Sequence, residues 1–411
     1  MSLVGPGGRQ RNLSTILTLL HRLGPLSRAS LTEATRLNRS TIADLVGQLV
    51  RHGLVTERAP DPARRVGRPS PIVAVSPRVV AVAVNPEVDA ITLAVVRLDQ
   101  TTVIRERHEV DRPPTPEEAT ALLAARLEAW RRGVLADAAI VGIGLAVPGL
   151  VRASDGLVRD APHLHWRDVP LGDLVAEATG LLTRVANDAS LGAMAEHLFG
   201  AARGVDDVVY LNGGASGIGG GLIVGGVTVG GSGGYAGEFG QNRPGIADGA
   251  DRLAADGVLE DEVSRSRLLA AVGLDSADEP TLAAALADPP DPGTRAAVSA
   301  EVERQRRILS TALANAVNVL NPSVVVLGGF LATIADVDVA GLLARVRAQA
   351  MPAATEDLQL RLASLAEDRL LIGAAEVVFD ALLADPSSAL ELAGSVDVDA
   401  EVSAAAVPSS P

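Results

Sequence analysis

The 411-residue sequence contains no cysteine and no lysine. Without cysteine there is no disulfide and no thiolate metal site, so nothing argues for an oxidising compartment. Without lysine there is no Walker A loop and no Schiff-base amine; all 36 basic residues are arginine, as a GC-rich genome favours. Aromatic residues make up 2% of a chain that is 47% apolar, so its core is aliphatic. No apolar run reaches the ~18 residues of a membrane span. The start, MSLVGPGGRQRN, lacks the apolar core of a signal peptide. A cytoplasmic protein of two or three domains is expected.

The charge is unevenly placed. Residues 1–75 hold 11 arginines against Glu33, Asp44, Glu57 and Asp61, a balance of +7; the remainder balances at −21, for a total of −14. A basic head on an acidic body suggests that only the head meets a polyanion. Leu13, Ile16, Leu17 and Leu20 mark one helix face, stopped by Gly24-Pro25. Ser27 can cap a second helix burying Leu31, Ala34 and Leu37. Asn38 can cap a third, with Ile42, Leu45, Val46, Leu49 and Val50 inward. That is a helix-turn-helix, in which Arg39, Ser40, Thr41 and Asp44 would face a DNA major groove. Two strands around a basic loop follow as a wing, where Arg64, Arg65 and Arg68 could track phosphates. A small helical domain packed only on its own body is the competing reading.

Beyond Ser76, strands alternate with helices, which argues an α/β domain. Three strands lead to a helix with a capping box at Thr115 and Glu118. A buried strand spans 138–147, and another precedes a helix that begins near Asp188. Later helices are expected at 259–272, 280–287, 293–319 and 371–384, with strands at 323–329 and 358–364; residues 385–411 read as a disordered tail. The stretch 212–241 carries 14 of the 41 glycines, around two apolar runs that read as short strands. Asn187-Asp188 lies where a strand ends and a helix starts, the edge at which α/β sheets bind ligands. Asp188 could take a proton from a sugar hydroxyl and Asn187 could bond its neighbour, or the two could simply cap the helix. Glu238 could bond vicinal hydroxyls or face water. His163 and His165 could be ligands, although a lone histidine in a loop is more often structural.

The segments LSRASLTEATRLNRSTIADLVGQLVRHGLVTE, GIGLAVPGLV, ANDASLGAMAEHLFGAARG, SGIGGG and AGEFG together resemble the ROK family of repressors, open reading frames and kinases, over about residues 12–384. The resemblance implies a winged helix-turn-helix (1–75) followed by a two-lobed, actin- or hexokinase-like sugar-kinase fold (76–384). It places Asp188 at the family's catalytic base, and Asn187, Glu238, Gln241 and Glu260 at sugar-contacting positions. Two departures follow. The phosphate-binding hairpin of the kinases is replaced by Asn85-Pro86-Glu87-Val88-Asp89, in which Pro86 removes a donor and Glu87 would repel a triphosphate by about 4 kcal/mol at ~4 Å. The family's zinc ligands are replaced by Gln241, Asp251, Leu253 and Val258, so no zinc or other cofactor is expected, and segment 242–260 must be held by packing alone or be mobile.

The expected function is a DNA-binding transcriptional regulator, a repressor of carbohydrate-related genes, with a sugar effector between its lobes and a double-stranded operator at its head. A homodimer or a dimer of dimers would match paired half-sites. The alternatives are a DNA-binding protein whose body is only a dimerisation scaffold, and a sugar kinase carrying a DNA-binding head.

Overall fold

A computed structural model describes residues 7–59, 70–246, 248–254 and 257–387. The N-terminal part comprises α1 (Gly8–Leu23), β1 (Leu26–Ser27), α2 (Arg28–Thr35), α3 (Arg39–Arg51), β2 (Val55–Arg58) and β3 (Ile72–Val75). Ser27 caps α2 and Asn38 caps α3 through their side-chain oxygens, as their positions predict. Between these helices Arg36 adopts φ 58° to make the tight turn. The three strands form one antiparallel sheet in the order β1-β3-β2. Two inward positions differ from expectation: Ala34 and Val50 are exposed, because Leu31 and Leu49 already fill the small core between α2 and α3. The wing arginines Arg64, Arg65 and Arg68, and the tail beyond Ser387, lie outside the described residues. Asp385 and Ser387 belong to the folded body, since both hydrogen-bond Gln10 of α1.

The first lobe holds β4 (Val79–Pro86), β5 (Ala90–Arg97), β6 (Thr102–Glu109), α4 (Pro116–Arg131) and β7 (Ala139–Val147). It continues through β8 (Leu150–Val151), β9 (Val158–Ala161), β10 (Trp166–Val169), α5 (Leu171–Thr179), β11 (Thr183–Asn187) and α6 (Asp188–Phe199). The second lobe holds β12 (Val208–Gly214), β13 (Gly217–Val224), β14 (Val227–Thr228), α7 (Leu259–Glu262), α8 (Arg265–Val272), α9 (Glu279–Ala287) and α10 (Pro292–Leu320). It ends with β15 (Val324–Gly329), α11 (Phe330–Asp336), α12 (Val339–Gln349) and β16 (Gln359–Leu362), after which α13 (Arg369–Ala384) returns to the first lobe.

The two five-stranded sheets, β6-β5-β4-β7-β11 and β14-β13-β12-β15-β16, share one strand order and one set of senses. Each starts as an antiparallel meander and ends with two parallel additions. The first hairpin turn of each lobe, at 86–90 and 214–217, therefore occupies an equivalent place. Helices α6 and α13 pack on each other, α6 also on β13 and α13 also on β7 and β4. The glycines of SGIGGG lie mostly within β13 rather than in a turn. Their reason is close approach: a Cβ on Gly219 would lie 2.6 Å from the Cβ of Ala189, and one on Gly221 2.4 Å from that of Ala193. The helix expected over 259–272 is broken at Val263-Ser264, where Arg304 of α10 takes the carbonyl of Glu262 and the backbone turns extended.

Candidate functional site

At the head, Arg39 and Ser40 are exposed on the first turn of α3 and Thr41 is half-buried beside them. Ser40 donates to the Oδ1 of Asn38 at 2.7 Å, which also receives the Thr41 N–H at 2.8 Å, so the cap fixes the orientation of the Ser40 hydroxyl. Asp44 is paired with Arg9 of α1 at 2.8 Å, and Arg9 also donates to Gln48 at 3.0 Å. Arg39, Ser40 and Thr41 form the polar leading edge of the helix, while Asp44 belongs to its contact with α1.

In the body, the strand-to-helix junction at 187–188 does what its capping pattern predicts. Asn187 accepts the Ser190 N–H at 2.9 Å and donates to the Gly149 carbonyl at 3.1 Å, so both ends of its amide are used by the fold. Asp188 is 6% exposed at the N-terminus of α6, and its Oδ1 accepts the Ala189 N–H at 2.7 Å. Burial pushes its carboxyl up to about 6. Burial and the charges of Asp188 and Glu260 push Glu238 up to about 7. Glu260 accepts from the Ile218 N–H at 3.0 Å and the Gln241 amide at 2.6 Å, and faces His163 Nε2 at 3.5 Å. Burial would raise Glu260, but His163 and the Ile218 N–H outweigh it and hold it low, and Glu260 in turn raises His163. Asp188, Glu238 and Glu260 thus lie close enough to act on one another, with His163 against Glu260, a set suited to hydroxyl-rich ligands. His163 is the member that a sequence reading leaves between a ligand and a structural loop residue. Its signal is too short to see, because only folding carries the 162–164 turn across to Glu260.

The space between the two hairpin turns is closed. The Pro86–Ala90 turn projects Glu87 across to the equivalent turn of the second lobe, where its Oε2 receives the Ser216 hydroxyl at 2.5 Å. Burial and the charge of Asp188 push Glu87 up to about 7. Asp89 pairs with Arg107 at 3.2 Å in its own lobe and with Arg265 at 3.1 Å in the other. Arg369, 3% exposed on its side chain, donates to Asn212 at 2.9 Å and pairs with Glu279. The cavity left among these residues is about 90 Å³, whereas small-molecule sites run to roughly 300–1,000 Å³.

The positions at which family resemblance puts zinc ligands do not fit the metal. Asp251 gives both oxygens to Arg307, at 2.8 and 2.7 Å, Leu253 and Val258 offer no donor, and the Gln241 amide is spent on Glu260. No cluster of three or more potential metal ligands occurs among the described residues. The lack of zinc ligands left segment 242–260 to be held by packing alone or to be mobile; its described residues are held by polar contacts as well. Glu262, fully buried, accepts the Leu253 and Ala254 N–H groups, and Arg304, 6% exposed, donates at once to the Asp251 carbonyl and the Glu262 carboxylate. An ion-pair cluster anchored on α10 does the work of a metal clip.

These features define a class: a two-lobed sugar-kinase fold carrying an N-terminal winged helix-turn-helix. The chain belongs to the ROK family, whose family model matches residues 82–381. It is similar to the xylose repressor of Caldicellulosiruptor bescii, 24% identical over 378 residues that cover 89% of this chain and 94% of that protein. It is also similar to the glucokinase of Halalkalibacterium halodurans, 29% identical over 253 residues, or 57% of this chain and 74% of the kinase. A solved ROK family transcriptional regulator, a homolog of the E. coli MLC protein, superposes with a TM-score of 0.70 at 24% identity and covers 93% of this chain and 99% of its own. No helix among the described residues is long and apolar enough to cross a membrane.

Proposed function

We propose that the protein is a DNA-binding transcriptional regulator, a repressor of carbohydrate-related genes, whose body binds a sugar without phosphorylating it. In this reading residues 1–75 are the head, with Arg39, Ser40 and Thr41 at base edges and Arg64, Arg65 and Arg68 on phosphates. Residues 76–384 are the effector body, with Asp188, Glu238 and Glu260 on sugar hydroxyls, and a homodimer presents two heads to paired half-sites. Lobe movement on sugar binding would change the spacing of those heads. Likeness to xylose repressors along nearly the whole chain supports a repressor and puts aldopentoses first among effectors.

The observation that carries the non-kinase reading is the Glu87–Ser216 contact. Phosphoryl transfer depends on donors and cations around the phosphates, and here a carboxylate fills the place between the two hairpins. The test is a thermal-shift series with aldopentoses and aldohexoses, run on the wild type and on Asp188→Asn, followed by a DNA footprint with each stabilising sugar. An aldose that stabilises only the wild type and alters the footprint is the expected result. No stabilising sugar, with Asp188→Ala neutral, would leave the body as a dimerisation scaffold. ATP turnover with an aldose, abolished by Asp188→Asn, would make the protein a kinase.

A further inference from the structure

His21, in the last turn of α1, is the one histidine whose side chain is completely enclosed, and it meets a carboxylate 355 positions away in sequence. Its Nδ1 lies 2.6 Å from the Leu98 carbonyl oxygen and its Nε2 lies 2.9 Å from Glu376 Oε2 on α13. A carbonyl can only accept, so Nδ1 carries a hydrogen, and one further proton lies between Nε2 and Glu376. The ring stands edge-on to Phe199 of α6, with centroids 5.4 Å apart, and to Phe379 of α13, at 6.0 Å. Gln100 donates to the His21 carbonyl at 3.0 Å, and Arg203 donates to that of Arg22 at 3.1 Å. Gln100 Nε2 also lies 3.0 Å from Nδ1, and Arg22 and Asp380 act on the pair from its edge. The apolar core around it runs from Leu13, Ile16 and Leu20 into Leu382.

Such a pair is a poor source of stability, because an apolar pair of similar volume would hold the two helices about as well. What it supplies is direction: only one rotation of α1 satisfies both ring nitrogens. Helix α13 is in turn seated on α6. A Cβ on Gly373 would lie 2.3 Å from the Leu191 carbonyl, so the two helices touch backbone to backbone one turn from Glu376 and one turn from Asp188.

We propose that the His21–Glu376 pair is the joint that fixes the orientation of the DNA-binding head on the body, with α13 as the element linking it to the effector end of α6. His21 and Glu376 are positioning residues: neither meets DNA or sugar. The proposal rests on the regulator reading above, and it differs from simple stabilisation in what removal of both groups does. An apolar replacement restores packing and leaves the rotation of α1 unspecified.

The test uses the full chain with His21→Leu, Glu376→Leu, the double variant, and Glu376→Gln. Calorimetry without sugar or DNA reads how the head and body unfold, and selection from random duplexes reads the preferred spacing between half-sites. Each single leucine variant strands one buried polar partner, so the head is expected to unfold ahead of the body and affinity for the wild-type duplex to fall roughly tenfold or more. The double variant is expected to unfold cooperatively again yet accept several spacings. Glu376→Gln can still donate to a neutral His21 Nε2, and is expected to keep the wild-type spacing. A double variant that unfolds cooperatively and retains the wild-type spacing would reduce the pair to packing and overturn the proposal, as would single variants with unchanged unfolding and spacing. A wild type that enriches no duplex sinks the regulator reading and this one with it. A wild type that enriches duplex but responds to no sugar removes only the effector, leaving the joint to be decided by spacing.

Discussion

Arg304→Met removes the centre of the cluster that holds the loop before α7. Arg304 is 6% exposed and Glu262 fully buried. The guanidinium reaches the Glu262 carboxylate at 3.0 Å, the Asp251 carbonyl at 2.8 Å and Glu301 at 2.9 and 2.8 Å. Methionine keeps much of the aliphatic stem but strands the Glu262 carboxylate, and breaking a buried pair from one side costs about 3–5 kcal/mol. Global unfolding of so large a chain does not isolate one segment. The suitable assay is hydrogen exchange of residues 248–263 followed by mass spectrometry, which reads local opening. Opening of this segment should become easier by about 3–5 kcal/mol, while β12 and β15 keep their protection. Adding Glu262→Gln removes the stranded charge and should recover part of the loss, and a chelator should change nothing in the wild type. Opening that shifts by less than about 1 kcal/mol, or protection lost on chelation, would refute the view that charge has replaced a metal here.

The three raised carboxylates set a pH dependence whose sign is fixed. Glu87, Asp188 and Glu238 titrate higher in the folded chain than unfolded, at about 7, 6 and 7, so the folded state holds their protons more tightly. Their contribution is complete below the ordinary carboxylate range and lost as pH rises through about 6 to 7, so the ligand-free Tm should decline across that window, and less in Glu87→Gln. Sugar binding should follow the opposite course, strengthening as Asp188 and Glu238 ionise and accept hydrogen bonds from the sugar hydroxyls. At the head, Arg39→Ala should relax base preference by about 1–3 kcal/mol at the position it reads, measured by competition between duplexes. Arg64→Ala with Arg65→Ala should weaken all duplexes alike and reduce the slope of log affinity against log salt by roughly 0.9 for each phosphate no longer neutralised.

Much of the fold is legible in local patterns. The caps at Ser27, Asn38 and Thr115 and the strand-to-helix junction at Asp188 fall where residue type predicts them, because a cap is a contact within a few residues. The break at Val263 departs from the local pattern for the opposite reason: it is set by Arg304, a neighbour distant in sequence. The departures at 85–89 and 251–258 are visible as missing residue types, yet what replaces them is not. Nothing near Glu87 in sequence names Ser216, and nothing near Asp251 names Arg307.

The division into a basic helical head and an acidic α/β body, and the absence of thiolate zinc ligands, are legible in the chain before it folds. These are properties of composition and short spacing, and they survive without coordinates; the departure at 85–89 is read only against the pattern that family resemblance implies. Only folding shows that the two lobes repeat one topology and so bring two distant hairpins face to face, that an arginine cluster holds the loop before α7, and that a histidine of the head is locked to a glutamate of the last helix. Each is a pairing of buried polar groups far apart in the chain. The free energy that selects such partners comes from desolvation in a shared interior, which exists only once the chain has folded.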